Sequence, residues 1–70
     1  MDESDHYDNY VERICIRMAE GHQGERWARN EAAKETKDIL RNAGYKAHEA
    51  CKIMTQFRHR ALADGVTSEF

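Results

Sequence analysis

The chain has 70 residues and a formal net charge of −2 at neutral pH, and 40% of its residues are hydrophobic. Nine residues are alanines, and only 14 are Ile, Leu, Val, Phe, Met or Trp. Such a small core leaves no room for a large preorganised active site, so we expect one domain without enzymatic activity or cofactor. No apolar run approaches the ~18 residues of a membrane span, and the acidic start is unlike a signal peptide. We therefore expect a cytoplasmic protein that does not bind membranes.

The charges are unevenly distributed along the chain. Residues 1–12 contain five acidic residues and no basic one, whereas all 11 Lys and Arg residues lie between Arg13 and Arg60. An acidic segment beside a basic body can dock on a cationic partner, although a solvated chain end explains the same composition. We expect residues 1–7 to form an acidic, flexible head and residues 66–70 a short tail of a single helical domain that spans residues 1–70.

The first predicted helix runs from about residue 8 to residue 20. Asp8 or Asn9 would be its N-cap, the Asn9-x-x-Glu12 spacing resembles a capping box, and Gly21 would end the helix. Helical spacing places an apolar face on one side of this helix. That face comprises Tyr7, Tyr10, Val11, Ile14, Cys15 and Met18.

The second predicted helix runs from about residue 25 to residue 43 and is rich in residues of high helix propensity. Its apolar stripe begins with two small residues, Ala28 and Ala32, so another helix can approach it closely there. Gly44 follows the helix and predicts a Schellman motif, in which Tyr45 packs against Leu40.

The third predicted helix runs from about residue 47 to residue 63 and has no good N-cap residue. Its apolar residues cover about half of the helix circumference, more than one neighbouring helix can bury. Cys51 on this helix and Cys15 on the first both lie on apolar faces, so we expect two small buried hydrophobic residues rather than a disulfide. The apolar residues of the third helix are Ala47, Ala50, Cys51, Ile53, Met54, Phe57, Ala61 and Leu62.

These elements predict an all-α fold, either a small three-helix bundle or an αα-hairpin with an extra N-terminal helix. Because the core is thin, we expect a homodimer whose isologous interface is made by the third helix and the small stripe of the second. Ile53, Phe57 and Arg58 would lie at this dimer interface or at an interface with another protein. The guanidinium of Arg58 could bind a carboxylate across the interface, or it could extend into solvent.

Two apolar residues fall outside the predicted core faces. Trp27 lies opposite the apolar stripe if the second helix is regular from Glu25, and tryptophan is enriched at binding hot spots. If the helix instead begins near Arg29 or Asn30, Trp27 would lie in a loop folded over the core. Ile16 projects away from Ile14 and could share one surface patch with Trp27.

A polar stripe on the third helix suggests a different class of partner. His48, Lys52 and His59 recur at helical spacing with Arg60 nearby, so this face could bind the phosphates of a nucleic acid. The turn at Gly44 would then belong to a helix-turn-helix-like motif. The start of the third helix lacks the Arg, Asn and Gln residues typical of a recognition helix, and a solvated helix face also explains the stripe.

Neither a metal site nor a catalytic group of residues is predicted. Cys15, His22, His48 and Cys51 are the residue types that bind zinc, but their spacing does not match a structural zinc site.

We expect a small regulator or inhibitor that binds and blocks another protein, as small accessory proteins of phages and other mobile elements often do. Its predicted contacts with that protein are Trp27, Ile16, Asp5, Asp8 and Glu12.

Overall fold

The structure, a computed structural model, describes residues 3–20 and 23–68. In this part of the chain three helices and no strand are present: α1 (Glu3–Glu20), α2 (Gly24–Asn42) and α3 (Ala47–Ala63). The predicted all-α fold of three helices is confirmed.

The start of α1 lies further toward the N-terminus than the sequence analysis predicts. Glu3 and Asp5 occupy the first turn, where carboxylates interact favourably with the positive end of the helix dipole. His6 and Tyr7, in the next turn, are buried. Residues 3–7 therefore belong to the folded bundle, in contrast to the flexible head that we expected.

The predicted N-cap of α1 is also wrong, because Asp8 and Asn9 both lie inside the helix. The predicted helix end at Gly21 lies outside the described residues, as do the first two residues of the expected head and the last two of the expected tail. Of that tail, the structure describes residues 66–68, and Thr67 is buried.

Glycines end α2 and α3 with the same geometry. After α2, the backbone N–H of Tyr45 donates to the carbonyl of Leu40 over 3.1 Å, across Gly44 with a φ of +105°. This is the Schellman motif that the sequence predicts, and it requires the left-handed backbone that glycine adopts without strain. After α3, the N–H of Val66 donates to the carbonyl of Ala61 over 2.9 Å, across Gly65. Tyr45 and Val66 both pack against the core.

The pair of helices α1 and α2 is antiparallel and closely packed. Ala28 and Ala32 are fully buried, as their small size on the predicted stripe suggests. At the start of α1 the imidazole of His6 meets the ring of Tyr45, just beyond the end of α2, in an edge-on contact.

The contact between α1 and α3 depends on aromatic rings. The ring centroids of Tyr7 and Phe57 are 5.5 Å apart in an edge-on arrangement, and those of Tyr10 and Phe57 are 6.3 Å apart in a stacked arrangement. The Tyr7 hydroxyl donates a 2.8 Å hydrogen bond to Asp64, and the guanidinium of Arg60 lies 4.0 Å above the Tyr7 ring. Burial, reinforced by the bond to Asp64, raises the pKa of Tyr7 to about 12. Four contacts thus hold the first half of α1 on the last half of α3.

These contacts change the roles predicted for several apolar residues. Ile53 and Phe57 are 7% and 5% exposed, so they belong to the core of the protomer and offer almost no surface to the predicted dimer interface. In contrast, Cys15, Met18 and Cys51 are exposed, which contradicts the expectation that they are buried. The reason is that α1 begins early and brings Tyr7 and Tyr10 onto α3, so the core lies nearer to the start of α1 than its hydrophobic spacing indicates.

Glu35 on α2 is the centre of an ion-pair network with α1. Its Oε1 accepts hydrogen bonds from Nε and Nη2 of Arg17, over 2.8 and 2.6 Å, and its Oε2 accepts one from Arg13 over 2.5 Å. Desolvation works to raise the pKa of Glu35, but the hydrogen bonds and charges of the two arginines outweigh it and lower the pKa below its usual value. The network therefore stabilises the α1–α2 pair when Glu35 is ionised.

We expect the substitution Glu35→Gln to lower the free energy of unfolding by about 1 kcal/mol at neutral pH, because the ion pairs are partly exposed. The lowered pKa means that this stabilisation is present above the usual carboxyl pKa of 4.5 and is lost as the pH falls through the folded-state pKa. Urea unfolding followed by circular dichroism at pH 7 and at lower pH measures both effects. Glu31→Gln, which removes a carboxylate 3.6 Å from Lys34, is the matched control with little expected effect. Equal stability of the two variants at pH 7 would contradict the role of Glu35.

We expect Phe57→Ala to unfold most of the protein at 25 °C, because removing a buried phenylalanine costs about 3–5 kcal/mol and a domain this small has little more than that. Leu62→Ala, at a position of α3 that is 38% exposed, should change the free energy of unfolding by less than about 0.5 kcal/mol. Far-ultraviolet circular dichroism measures the helix content of both. If the Phe57→Ala variant stays fully helical and loses only its association with a partner, the prediction would be contradicted, and Phe57 would belong to an interface.

Candidate protein-binding surfaces

One face of α1 carries the acidic residues that the sequence analysis predicts to contact a partner. Asp5, Asp8, Glu12 and Ile16 recur at helical spacing on the side of α1 that faces away from the core, and all four are exposed. Ile16 keeps 46% of its surface accessible. We refer to these four residues as the acidic stripe. A shallow depression of about 290 Å³ along the stripe is lined by Asn9, Glu12, Arg13 and Ile16.

The two arginines of α1 do not neutralise the acidic stripe. Arg13 and Arg17 both reach across to Glu35 on α2, and Arg17 also binds Glu20 at the end of its own helix. Asp8 and Glu12 therefore present their negative charge outward, beside the apolar side chain of Ile16.

Trp27 lies in α2, one turn after the start of the helix at Gly24, so the alternative of a loop position is wrong. Two and a half helical turns separate it from Thr36, which is fully buried, so the two residues lie on opposite sides of the helix. Trp27 is therefore attached to the side of α2 that faces away from the core. Its side chain is half-buried and does not belong to the core cluster. Because α1 and α2 are antiparallel, Trp27 and Ile16 lie toward the same end of this pair.

A groove with basic walls separates α2 from α3. It consists of two adjoining cavities of about 210 and 260 Å³, which share Lys37 and Cys51. Arg41 and Asp38 border it on α2, and Arg58 borders it on α3. We refer to this feature as the α2–α3 groove. Its remaining lining residues are Ala47, Ala50, Met54 and Thr55.

The polar stripe predicted on the third helix is divided between two environments. His48 and Lys52 are exposed and line a depression of about 400 Å³ whose walls include the carboxylates of Glu3 and Glu49. His59 is exposed, whereas the guanidinium of Arg60 lies over Tyr7 and 3.7 Å from Asp64. Carboxylates beside His48, Lys52 and Arg60 make this face a poor surface for phosphates.

In residues 3–20 and 23–68, no three His, Cys, Asp or Glu side chains lie close enough together to hold a metal ion. No helix in the same ranges combines the length and the apolar composition that crossing a membrane requires.

A hydrogen-bonded contact that the sequence does not predict joins the tail to the start of α2. The backbone N–H and the hydroxyl of Ser68 each donate a 2.6 Å hydrogen bond to the carboxylate of Glu25. Arg29, which is 7% exposed, places its Nε 3.9 Å from the same carboxylate. No pattern in the sequence connects these residues, because 43 positions separate Ser68 from Glu25.

Comparison of the chain with protein-family models, with curated proteins and with solved structures finds no match.

Proposed function

We propose that this chain is a small, non-enzymatic regulator or inhibitor that acts by binding and blocking another protein. The acidic stripe of α1 is the observation that carries this proposal: it combines exposed carboxylates with the exposed side chain of Ile16 on a helix that the core holds in place. A folded helix loses little conformational entropy on binding, so its side chains can contribute most of their interaction energy.

The stripe suggests the chemistry of the partner surface. Carboxylates that recur at every helical turn complement a row of Lys or Arg residues, which would accelerate association and fix the orientation of the complex. Ile16, at the end of the stripe, supplies an apolar contact that could fill a small pocket. Trp27 would add a half-buried aromatic surface toward the same end of the α1–α2 pair.

Two further predictions concern a homodimer and the binding of nucleic acid. A homodimer would have little contact with Ile53 and Phe57, because both residues pack inside the protomer. Nucleic-acid binding through His48, Lys52, His59 and Arg60 remains the alternative function. A gel-shift titration with duplex DNA and with RNA at about 20 mM salt, where phosphate contacts are strongest, tests it directly.

We expect Asp8→Asn combined with Glu12→Gln to weaken target binding at least about tenfold, because charge complementarity at the stripe is lost. The experiment captures proteins from the native host with the tagged wild-type chain, identifies the main bound protein by mass spectrometry and measures its affinity for each variant. Glu31→Gln combined with Glu49→Gln changes the net charge by the same amount outside the acidic stripe and serves as the control, since glutamine at position 49 can still cap the start of α3. A target that binds both double variants equally would contradict the proposed surface, and retention of nucleic acid instead of a protein would favour the alternative function.

We expect Trp27→Ala to weaken binding to the same target by about 2 kcal/mol, the typical cost of truncating an aromatic hot-spot residue. Its helix content should stay unchanged, since Trp27 lies outside the core cluster. Isothermal titration calorimetry and circular dichroism on the same preparation separate the two effects. A variant that loses its helices, with no separate defect in binding, would show that Trp27 has a purely structural role.

A further inference from the structure

The α2–α3 groove is a surface that folding leaves open. On one side of α3, Phe57 packs against Tyr7 and Tyr10 of α1, whereas residues on the opposite side of α3 remain exposed. There Ala47 and Cys51 are exposed, and Leu62 further along the helix keeps 38% of its surface accessible. The apolar arc of α3 is therefore only partly covered within the protomer.

The charge of the groove favours an acidic occupant. Lys37, Arg41 and Arg58 border it with Asp38 as the one acidic neighbour among the lining residues. In the part of the chain that the structure describes, none of these three basic side chains forms an ion pair. Two grooves that faced each other in an isologous dimer would bring six cations together, and like charges across an interface oppose association.

The acidic stripe of a second copy has the charge and the shape that the groove requires. Asp8 and Glu12 are one helical turn apart, and so are Lys37 and Arg41. α1 has 18 residues and is therefore about 27 Å long, which matches the length of the 17-residue α3 that forms one wall. Ile16 continues the stripe by one turn and offers an apolar side chain to the exposed surface of α3.

We propose that the α2–α3 groove of one protomer binds the acidic stripe of a second copy. Because the stripe and the groove lie on different sides of the bundle, the contact is heterologous: each bound pair retains one open groove and one open stripe. Association can therefore continue beyond two chains as the concentration rises. This inference concerns only the chain itself and does not depend on the proposed function, although a target that binds the stripe would compete with self-association.

The test measures mass by light scattering and analytical ultracentrifugation over a range of concentrations. For the wild-type chain at about 20 mM salt, we expect the weight-average mass to rise past that of a dimer, and about 500 mM salt should shift the midpoint at least about tenfold upward because charges are screened. Asp8→Asn combined with Glu12→Gln disables the stripe, and Lys37→Gln combined with Arg41→Gln disables the groove. Each double variant alone should remain monomeric.

Mixing the two double variants gives the sharpest expectation. One supplies an intact groove and the other an intact stripe, so the mixture should form a complex of one chain of each kind that does not grow further. Glu31→Gln combined with Lys34→Gln, which removes an exposed ion pair outside both surfaces, should associate like the wild-type chain. Circular dichroism confirms that every variant is folded.

A second readout uses the unmodified chain. The thiol of Cys51 lies in the groove, so its alkylation by iodoacetamide should slow as low-salt association proceeds and recover at high salt. A wild-type chain that stays monomeric at millimolar concentration in low salt would overturn the proposal and leave the groove to an acidic segment of a different protein. Association that survives in both double variants, or that leaves the alkylation of Cys51 unchanged, would also overturn it.

Discussion

The packing of Tyr7 and Tyr10 against Phe57 is the contact on which the rest of this structure depends. The chain has few large apolar residues, and these three rings supply much of the volume that its core contains. The contact joins the start of α1 to the second half of α3, and the hydrogen bond from Tyr7 to Asp64 reinforces it. Without it, α1 would keep its more extensive contact with α2, but its first turns would lose their attachment to α3.

The same contact determines which charged side chains of α1 lie on the surface. When Tyr7 and Tyr10 face inward, helical geometry turns Asp8 and Glu12 outward. Arg13 and Arg17 pair with Glu35 of α2, so the positive charge of α1 is neutralised and the negative charge of Asp8 and Glu12 remains on the surface. The basic side chains of α2 and α3 collect around the open groove. A molecule of low net charge thus acquires one acidic and one basic surface.

Local features of this fold could be predicted from the sequence, and the features that depend on distant contacts could not. The Schellman motif at Gly44 was predictable because one glycine and its immediate neighbours determine it. The exposure of Ile16 was predictable from its spacing relative to Ile14. The start of α1 was not, because His6 and Tyr7 are buried against the distant residues Tyr45 and Phe57, and Tyr7 lies 57 positions before its partner Asp64.

The candidate surfaces show the same division. The acidic stripe could be predicted because all its members lie on one helix. The α2–α3 groove was missed because Lys37, Arg41 and Arg58 come together only when two helices pack. Cys51 shows why burial is difficult to predict from the sequence. Its position on the apolar face of α3 indicated burial, but that face is wider than the neighbouring helices can cover, and Cys51 is exposed.

Amide hydrogen exchange in α1, followed residue by residue by nuclear magnetic resonance, tests the central claim most directly. If the aromatic contact orders α1 from its beginning, the amides of Tyr7 to Glu12 should exchange as slowly as those around Ile14, close to the rate set by global unfolding. Fast exchange across Tyr7 to Glu12, with protection only from about Arg13 onward, would contradict the account, because the acidic stripe would then lie on a flexible segment.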